Sequence, residues 1–160
     1  MNLLPFPKEN IIDLKLNVDK RGFTTELLRE DWFREPQKGF TFHIRQCLLS
    51  ASYRGVVRAW HRHKRGQDDY MTVIEGASLV VYVGKDGNFY HHFLLANSMQ
   101  VIKVPGHLWH GTKALGAKDT YTIYHMNQLY DYENPDEERL PYYGNPINPL
   151  IKNFPWEDFV

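Results

Sequence analysis

An all-β barrel is the fold predicted for this 160-residue chain, and three observations predict it. Short β-rich runs recur at Phe40 to Leu49, Met71 to Ile74, Leu79 to Val83, Tyr90 to Leu95, Gln100 to Val104 and Thr120 to Met126, each bounded by turn residues. Gly84-Lys85-Asp86-Gly87 joins two of these runs, and its Asp-Gly pair supplies the positive-φ positions of a tight hairpin. The even spacing of strands argues for a sandwich or barrel and against βαβ units.

The remaining elements follow in order. Residues 1–18 alternate weakly through Ile11, Ile12, Leu14 and Leu16 and need a partner edge, which a second subunit would supply. Thr24 to Phe33 reads as a short N-terminal helix, with Thr24 or Thr25 as cap and Leu27, Leu28 and Trp32 on one face. After Met126, Pro135, Pro141, Pro146, Pro149 and Pro155 exclude long regular elements, and the aromatic side chains of this proline-rich C-terminal tail call for wrapping on the barrel. The length suits one domain, residues 1–160.

Composition narrows the function. The 19 Lys and Arg balance 19 Asp and Glu without a block of like charge, which argues against nucleic acid as partner. No signal sequence and no run of apolar residues long enough for a membrane span is found. Cys47, the single cysteine, excludes an intrachain disulfide and fits a reducing cytoplasm; its apolar surroundings read as core.

The chemistry concentrates in two segments. His61 and His63 lie two apart on a predicted strand and so share one face, and His110 arrives from a distant strand in Pro105-Gly-His-Leu-Trp-His-Gly111. A His-x-His alone is usually a packed or surface pair. Joined by His110, it outlines one concave site able either to move protons on a bound sugar or to hold a metal.

Gly55, five residues, His61-x-His63, then Gln67 and Gly76, resembles the first motif of the cupin superfamily, and Pro105 followed by His110 resembles the second. The resemblance implies a cupin-type double-stranded β-helix, or jelly roll. Within it the chain is similar to the dTDP-4-dehydrorhamnose 3,5-epimerase family over nearly its whole length. Asp19 to Phe23 with Glu26, Arg58 to His61, Pro105 to Gly111, and Tyr132 to Pro135 with Glu138 resemble four family segments in the right order.

That resemblance implies a homodimeric isomerase that inverts C3 and/or C5 beside the ketone of a nucleotide-diphosphate 4-keto-6-deoxysugar, in deoxysugar or cell-surface polysaccharide biosynthesis, without metal or organic cofactor. It implies His61 as base and Tyr132 as acid on the opposite face, with Arg21 and Arg58 on the diphosphate. Glu26, Gln46, His63, Gln67 and His110 complete the substrate-binding set. The chemistry agrees with these residue types: inversion beside a ketone needs a base, an acid and a donor for the enolate oxygen. An imidazole is available unprotonated at neutral pH.

Three departures from the family pattern bear on mechanism. Asp69 stands where the family usually has a lysine facing the keto oxygen, so either Asp69 points away or Lys64, Arg65 or Lys113 substitutes. The family's base is oriented by an aspartate from a longer tail, a role left here to Glu157 or Asp158. His63 stands where epimerases commonly carry Gln, and restores the His-x-His of metal-binding cupins. The alternative is therefore a metal-dependent oxygenase or isomerase using His61, His63, His110 and Gln67, a nitrogen-rich set lacking the usual carboxylate. A non-catalytic sugar-nucleotide-binding relative is the third reading.

Overall fold

A computed structural model describes residues 2–32, 43–143, 151 and 154–160. Two sheets face each other. The strands run β1 Leu3–Pro5, β2 Ile11–Asp13, β3 Asn17–Asp19, β4 Gly22–Thr24, β5 Gln46–Ser52, β6 Val57–His63, β7 Asp69–Glu75, β8 Ala77–Val83, β9 Phe89–Leu95, β10 Gln100–Val104, β11 His110–Leu115, β12 Thr120–Met126 and β13 Glu137–Arg139. One sheet has the order β1-β9-β8-β11-β6-β13 and the other β2-β10-β7-β12-β5, with β3-β4 as a separate hairpin. The central pairs, β8 with β9, β7 with β10, β6 with β11 and β5 with β12, are nested antiparallel ladders, the topology of a jelly roll.

The predicted hairpin forms as its residues require. Gly84 donates to the Asn88 carbonyl, Gly87 donates to the Gly84 carbonyl, and Gly87 has φ +78°. Gly76 closes the β7–β8 turn at φ +78°, where a β-carbon would meet the Asp119 carbonyl oxygen at 2.6 Å.

Alternation sorts the strands into an inside and an outside. Met71 and Val73 of β7, Val80 and Tyr82 of β8, and Ile102 and Val104 of β10 bury one face between the sheets, together with Leu94 and Phe6. The opposite face of the six-stranded sheet carries Trp60, Leu79, Val81 and Phe89, covered by Ile151, Phe154 and Trp156 of the C-terminal tail. On the other sheet Tyr70 and Val101 are covered by Leu14, with Leu27, Leu28 and Trp32 packed alongside.

Three expectations are corrected. Between Thr24 and Trp32 no helix forms; Thr24 ends β4 and the chain then turns irregularly, while Phe33 lies outside the described residues. The apolar spacing that suggested a helix face is used instead to pack a loop on Tyr70 and Val101. The first strands find their edges within the chain: β1 pairs in parallel with β9, and β2 pairs antiparallel with β10. Cys47 is exposed on the edge strand β5, as are its apolar neighbours Leu48 and Leu49. Among the described residues no helix is long and apolar enough to cross a membrane.

Candidate active site

Neighbouring strands of the barrel deliver the histidines. β6 carries His61 and His63 and pairs with β11, where His61 stands opposite His110 beside a bulge. Two further strands fix which way these groups point. His110 also stands opposite the inward-facing Tyr82 of β8, and Asp69 begins the inward row that continues through Met71 and Val73 on β7. The rings of His61 and His110 meet edge to face with centroids 4.1 Å apart.

Asp69 lies between two of the imidazoles. Its Oδ2 is 3.6 Å from His63 Nε2 and 3.6 Å from His110 Nε2, beyond hydrogen-bond length. Gln67 Nε2 donates to Asp69 Oδ1 at 2.8 Å and stands 3.2 Å from His63 Nε2. His110 Nδ1 is 2.8 Å from the Leu108 carbonyl, to which it donates, and Nε2 faces Asp69. That nitrogen is buried without a hydrogen-bond partner among the described residues. One atom from each of His61, His63, Asp69 and His110 falls within 4.8 Å of the others.

The loop before β11 braces this group. Gly106 accepts from the His63 backbone N–H at 2.6 Å and donates to Asp68 Oδ1 at 3.0 Å. A β-carbon on Gly106 would stand 1.9 Å from the Gln67 carbonyl oxygen, so only glycine permits this approach.

Burial, and then the neighbouring His110, hold the His61 imidazole well below its ordinary value, so it is neutral at physiological pH, with a ring nitrogen able to take a proton. Burial alone would lower His63, but Asp69 outweighs it and raises the imidazole. Burial would likewise raise the Asp69 carboxyl, yet His110 and His63 keep it well below the usual carboxylate range.

His61 opens onto a cavity of about 560 Å³ between β6 and the segment from β13 to Tyr142, lined also by Arg58, Glu137 and Arg139. This volume suits a small-molecule site. Arg58 lies at its wall, donating to Ser52 Oγ at 2.8 Å and to the Ala51 carbonyl at 3.0 Å. Inside the barrel, burial and then the Asp69 charge raise the Tyr124 phenol, with Arg58 and Thr112 opposing.

The structure therefore brings together His61, His63, Gln67 and His110, with Arg58 at the cavity wall. Gln46 accepts from the Tyr130 backbone N–H at 2.7 Å and ties the Tyr130–Tyr132 loop to β5. Tyr132 itself is 85% exposed, its ring edge-on to Tyr130. Arg21 and Glu26 are exposed on the N-terminal hairpin and the loop after it, paired with Asp19 and Arg29 respectively.

The suggested stand-ins are engaged elsewhere. Lys113 faces the opposite side of the sheet and donates to the Trp156 carbonyl at 2.6 Å. Lys64 pairs with Glu138, and Arg65 with Asp136 and the Asn134 carbonyl. Glu157 lies on the Lys113 side; the carboxylates beside the histidines are Asp69 and, 4.0 Å from His63 Nδ1, Asp136. The nitrogen-rich set is corrected on the same ground. It does include a carboxylate, while Gln67 directs its amide nitrogen at its neighbours as a donor. Strand parity counted from His63 through the intervening turn was the missing signal, because that turn breaks the count.

A sequence profile of the dTDP-4-dehydrorhamnose 3,5-epimerase family matches residues 4–144. The probable low-salt glycan biosynthesis epimerase Agl13 of Haloferax volcanii is 38% identical over 136 residues, covering 81% of this chain and 84% of that protein. The spore coat polysaccharide biosynthesis protein SpsL of Bacillus subtilis is 28% identical over 134 residues, covering 81% of this chain and 85% of that one. Among solved structures, the rmlC epimerase of Mycobacterium tuberculosis superposes with a TM-score of 0.69 at 27% identity, covering 81% of this chain and 67% of that chain.

Proposed function

Because the chain belongs to the dTDP-4-dehydrorhamnose 3,5-epimerase family, we propose that it inverts C3 and/or C5 beside the ketone of a nucleotide-diphosphate 4-keto-6-deoxysugar. It is an isomerase of the epimerase type. The names of its relatives support a place in glycan or polysaccharide biosynthesis.

The observation that carries the reading is His61, a half-buried imidazole held neutral at the edge of a cavity large enough for a sugar nucleotide. In the proposed reaction His61 takes the proton from the carbon next to the ketone. The C–H electron pair becomes the enolate double bond, and the carbonyl pair moves onto oxygen. An acid on the opposite face, assigned to Tyr132, returns a proton to carbon, the carbonyl re-forms, and configuration inverts with no net oxidation. Arg58 is assigned to the diphosphate, together with Arg21.

A homodimer in the cytoplasm completes the proposal. Its support is apolar surface: Val18 and Phe23 on the β3–β4 hairpin are 73% and 56% exposed, and the open edge β5 presents Leu48 and Leu49. The unpaired cysteine fits a reducing compartment.

Incubation with a panel of 4-keto sugar nucleotides in deuterated water tests the activity. Deuterium entering at C3 or C5 with inverted product is the expected result. Absence of both across dTDP-, UDP-, GDP- and CDP-linked substrates would refute it. Sedimentation velocity at micromolar concentration checks the dimer.

A further inference from the structure

The site as described leaves one chemical demand unmet. An enolate forming beside His61 needs a positively charged donor at its oxygen, and Lys64, Arg65 and Lys113 are held elsewhere. Two guanidiniums line the cavity with His61, those of Arg58 and Arg139. Arg58 is assigned to the diphosphate, which leaves Arg139.

We propose that Arg139 is a catalytic residue whose guanidinium hydrogen-bonds the oxygen of the enolate that His61 generates. The assignment rests on the epimerase reading and adds to it the group that meets the charge on oxygen.

Strand pairing carries the inference. Arg139 on β13 is the ladder partner of His61 on β6, and paired residues of an antiparallel ladder project from the same face of the sheet. Guanidinium and base therefore enter the cavity side by side. In the substrate the keto oxygen is bonded to the carbon next to the one that loses its proton. A donor for that oxygen has to stand about 2.7–3.1 Å from it, hence beside the base rather than across the cavity. Among the residues lining the cavity, Arg139 combines a permanent charge with the position opposite His61 in register.

The strand holds this group ready. Glu138, on the alternate face, ties β13 to Arg62 and Lys64, and Trp60 and Leu140 exchange two backbone hydrogen bonds of 2.9 Å just beyond Arg139. Glu137, on the same face as Arg139, accepts from its Nε at 3.1 Å and its Nη2 at 2.5 Å through the single oxygen Oε2. A guanidinium carries five N–H donors in a fixed plane, so Nη1 and the second Nη2 hydrogen stay available to a ligand. The Arg139 side chain is 77% exposed against 17% for Glu137, which puts the carboxylate behind and the free edge of the fork toward open space. Its charge is also felt at the base: after burial and His110, Arg139 and His63 lower the His61 imidazole further, with Asp69 opposing.

In the reaction the C–H electron pair forms the enolate double bond as His61 takes the proton, and the carbonyl pair moves to oxygen, where it accepts an Arg139 N–H. A guanidinium keeps its proton at any working pH, so Arg139 stabilises the enolate without converting it to an enol, and the returning proton goes to carbon.

Arg139→Met and Arg139→Lys test the assignment against the wild-type protein, with far-ultraviolet circular dichroism as the check on folding. In Arg139→Met, deuterium exchange into saturating 4-keto sugar nucleotide should fall about 10²–10³-fold, while calorimetric affinity for the nucleoside diphosphate, which lacks the ketone, stays within about 3-fold. Arg139→Lys keeps the charge without the planar fork and should recover about 10-fold of the lost rate. Nuclear magnetic resonance titration of the His61 ring, which needs no sugar, should show its pKa higher in Arg139→Met than in the wild type. Undiminished exchange in Arg139→Met would overturn the assignment and leave the epimerase reading standing. Affinity for the nucleoside diphosphate falling as far as the rate would make Arg139 a diphosphate ligand and overturn it equally. A His61 pKa unmoved by the substitution would overturn the placement of the guanidinium beside the base. No exchange by the wild-type protein into any sugar nucleotide would refute the epimerase reading, and the enolate role with it.

Discussion

Arg139 stands directly across the β6–β13 ladder from His61, so the proposed base works beside a guanidinium. Burial, His110 and, to a smaller extent, Arg139 all oppose a positive imidazole. A neutral His61 can accept a proton from carbon but cannot be replaced by an amide. His61→Asn should therefore lower solvent exchange into substrate by about 10²–10⁴ while nucleotide binding stays within a few-fold. Mass-spectrometric exchange and calorimetric binding of the nucleoside diphosphate check both halves.

Tyr132→Phe should divide the two faces of the reaction. Loss of the phenol hydroxyl alone leaves binding intact and slows inversion by about 10²–10⁴, while deprotonation by His61 continues. Exchange and net epimerisation, measured side by side, decide the matter. Undiminished inversion would remove Tyr132 from the mechanism and make it one of the tail's packing tyrosines.

Gly106→Ala should disturb the site from behind. The added β-carbon collides with the Gln67 carbonyl oxygen and stands 3.0 Å from His63 Cδ2, so Gln67, His63 or the loop must move. Overpacking of this kind costs about 1–3 kcal/mol. Urea denaturation should show that loss, together with a lowered kcat from the displaced histidine.

His125 predicts a limb of the acid stability profile. Burial lowers its imidazole from the ordinary value of 6.5, and its Nε2 is buried without a hydrogen-bond partner among the described residues. The unfolded chain therefore takes up this proton at higher pH than the folded one. The stability it contributes is complete above about pH 6.5 and is lost as pH falls below that value. His125→Gln should flatten this part of the profile in thermal melts taken at successive pH values.

Long strands were legible in the sequence because their signals are internal: the β-branched and aromatic runs of β8, β10 and β12, and the Asp86-Gly87 turn, need no partner to be read. β1 to β4 and β13 are three residues each, too short for any period, and exist because a neighbouring strand offers hydrogen bonds. The histidines were legible as a group because His61 and His63 share one strand face and the motif of His110 lies on its neighbour. Asp69 was noticed only as a misplaced charge. Its meaning depends on facing inward with Met71 and Val73, which the turn at Lys64 to Asp68 conceals. Leu27, Leu28 and Trp32 show the converse failure, since spacing that fits a helix also serves a loop pressed onto a sheet.

The nesting of the central ladders has a kinetic consequence. Only β8 and β9 are joined by a short turn; β7 with β10, β6 with β11 and β5 with β12 span successively longer stretches of chain. Closing the inner pair shortens the effective loop for the next, so the order of least entropic cost runs outward from Gly84–Asn88 like a zip. Substitutions that weaken this turn should slow refolding, whereas equally destabilising ones on β5 should chiefly hasten unfolding. His61, His63, Asp69 and His110 sit on β6, β7 and β11, so the site's histidines and carboxylate meet only after the chain has closed its two inner ladders.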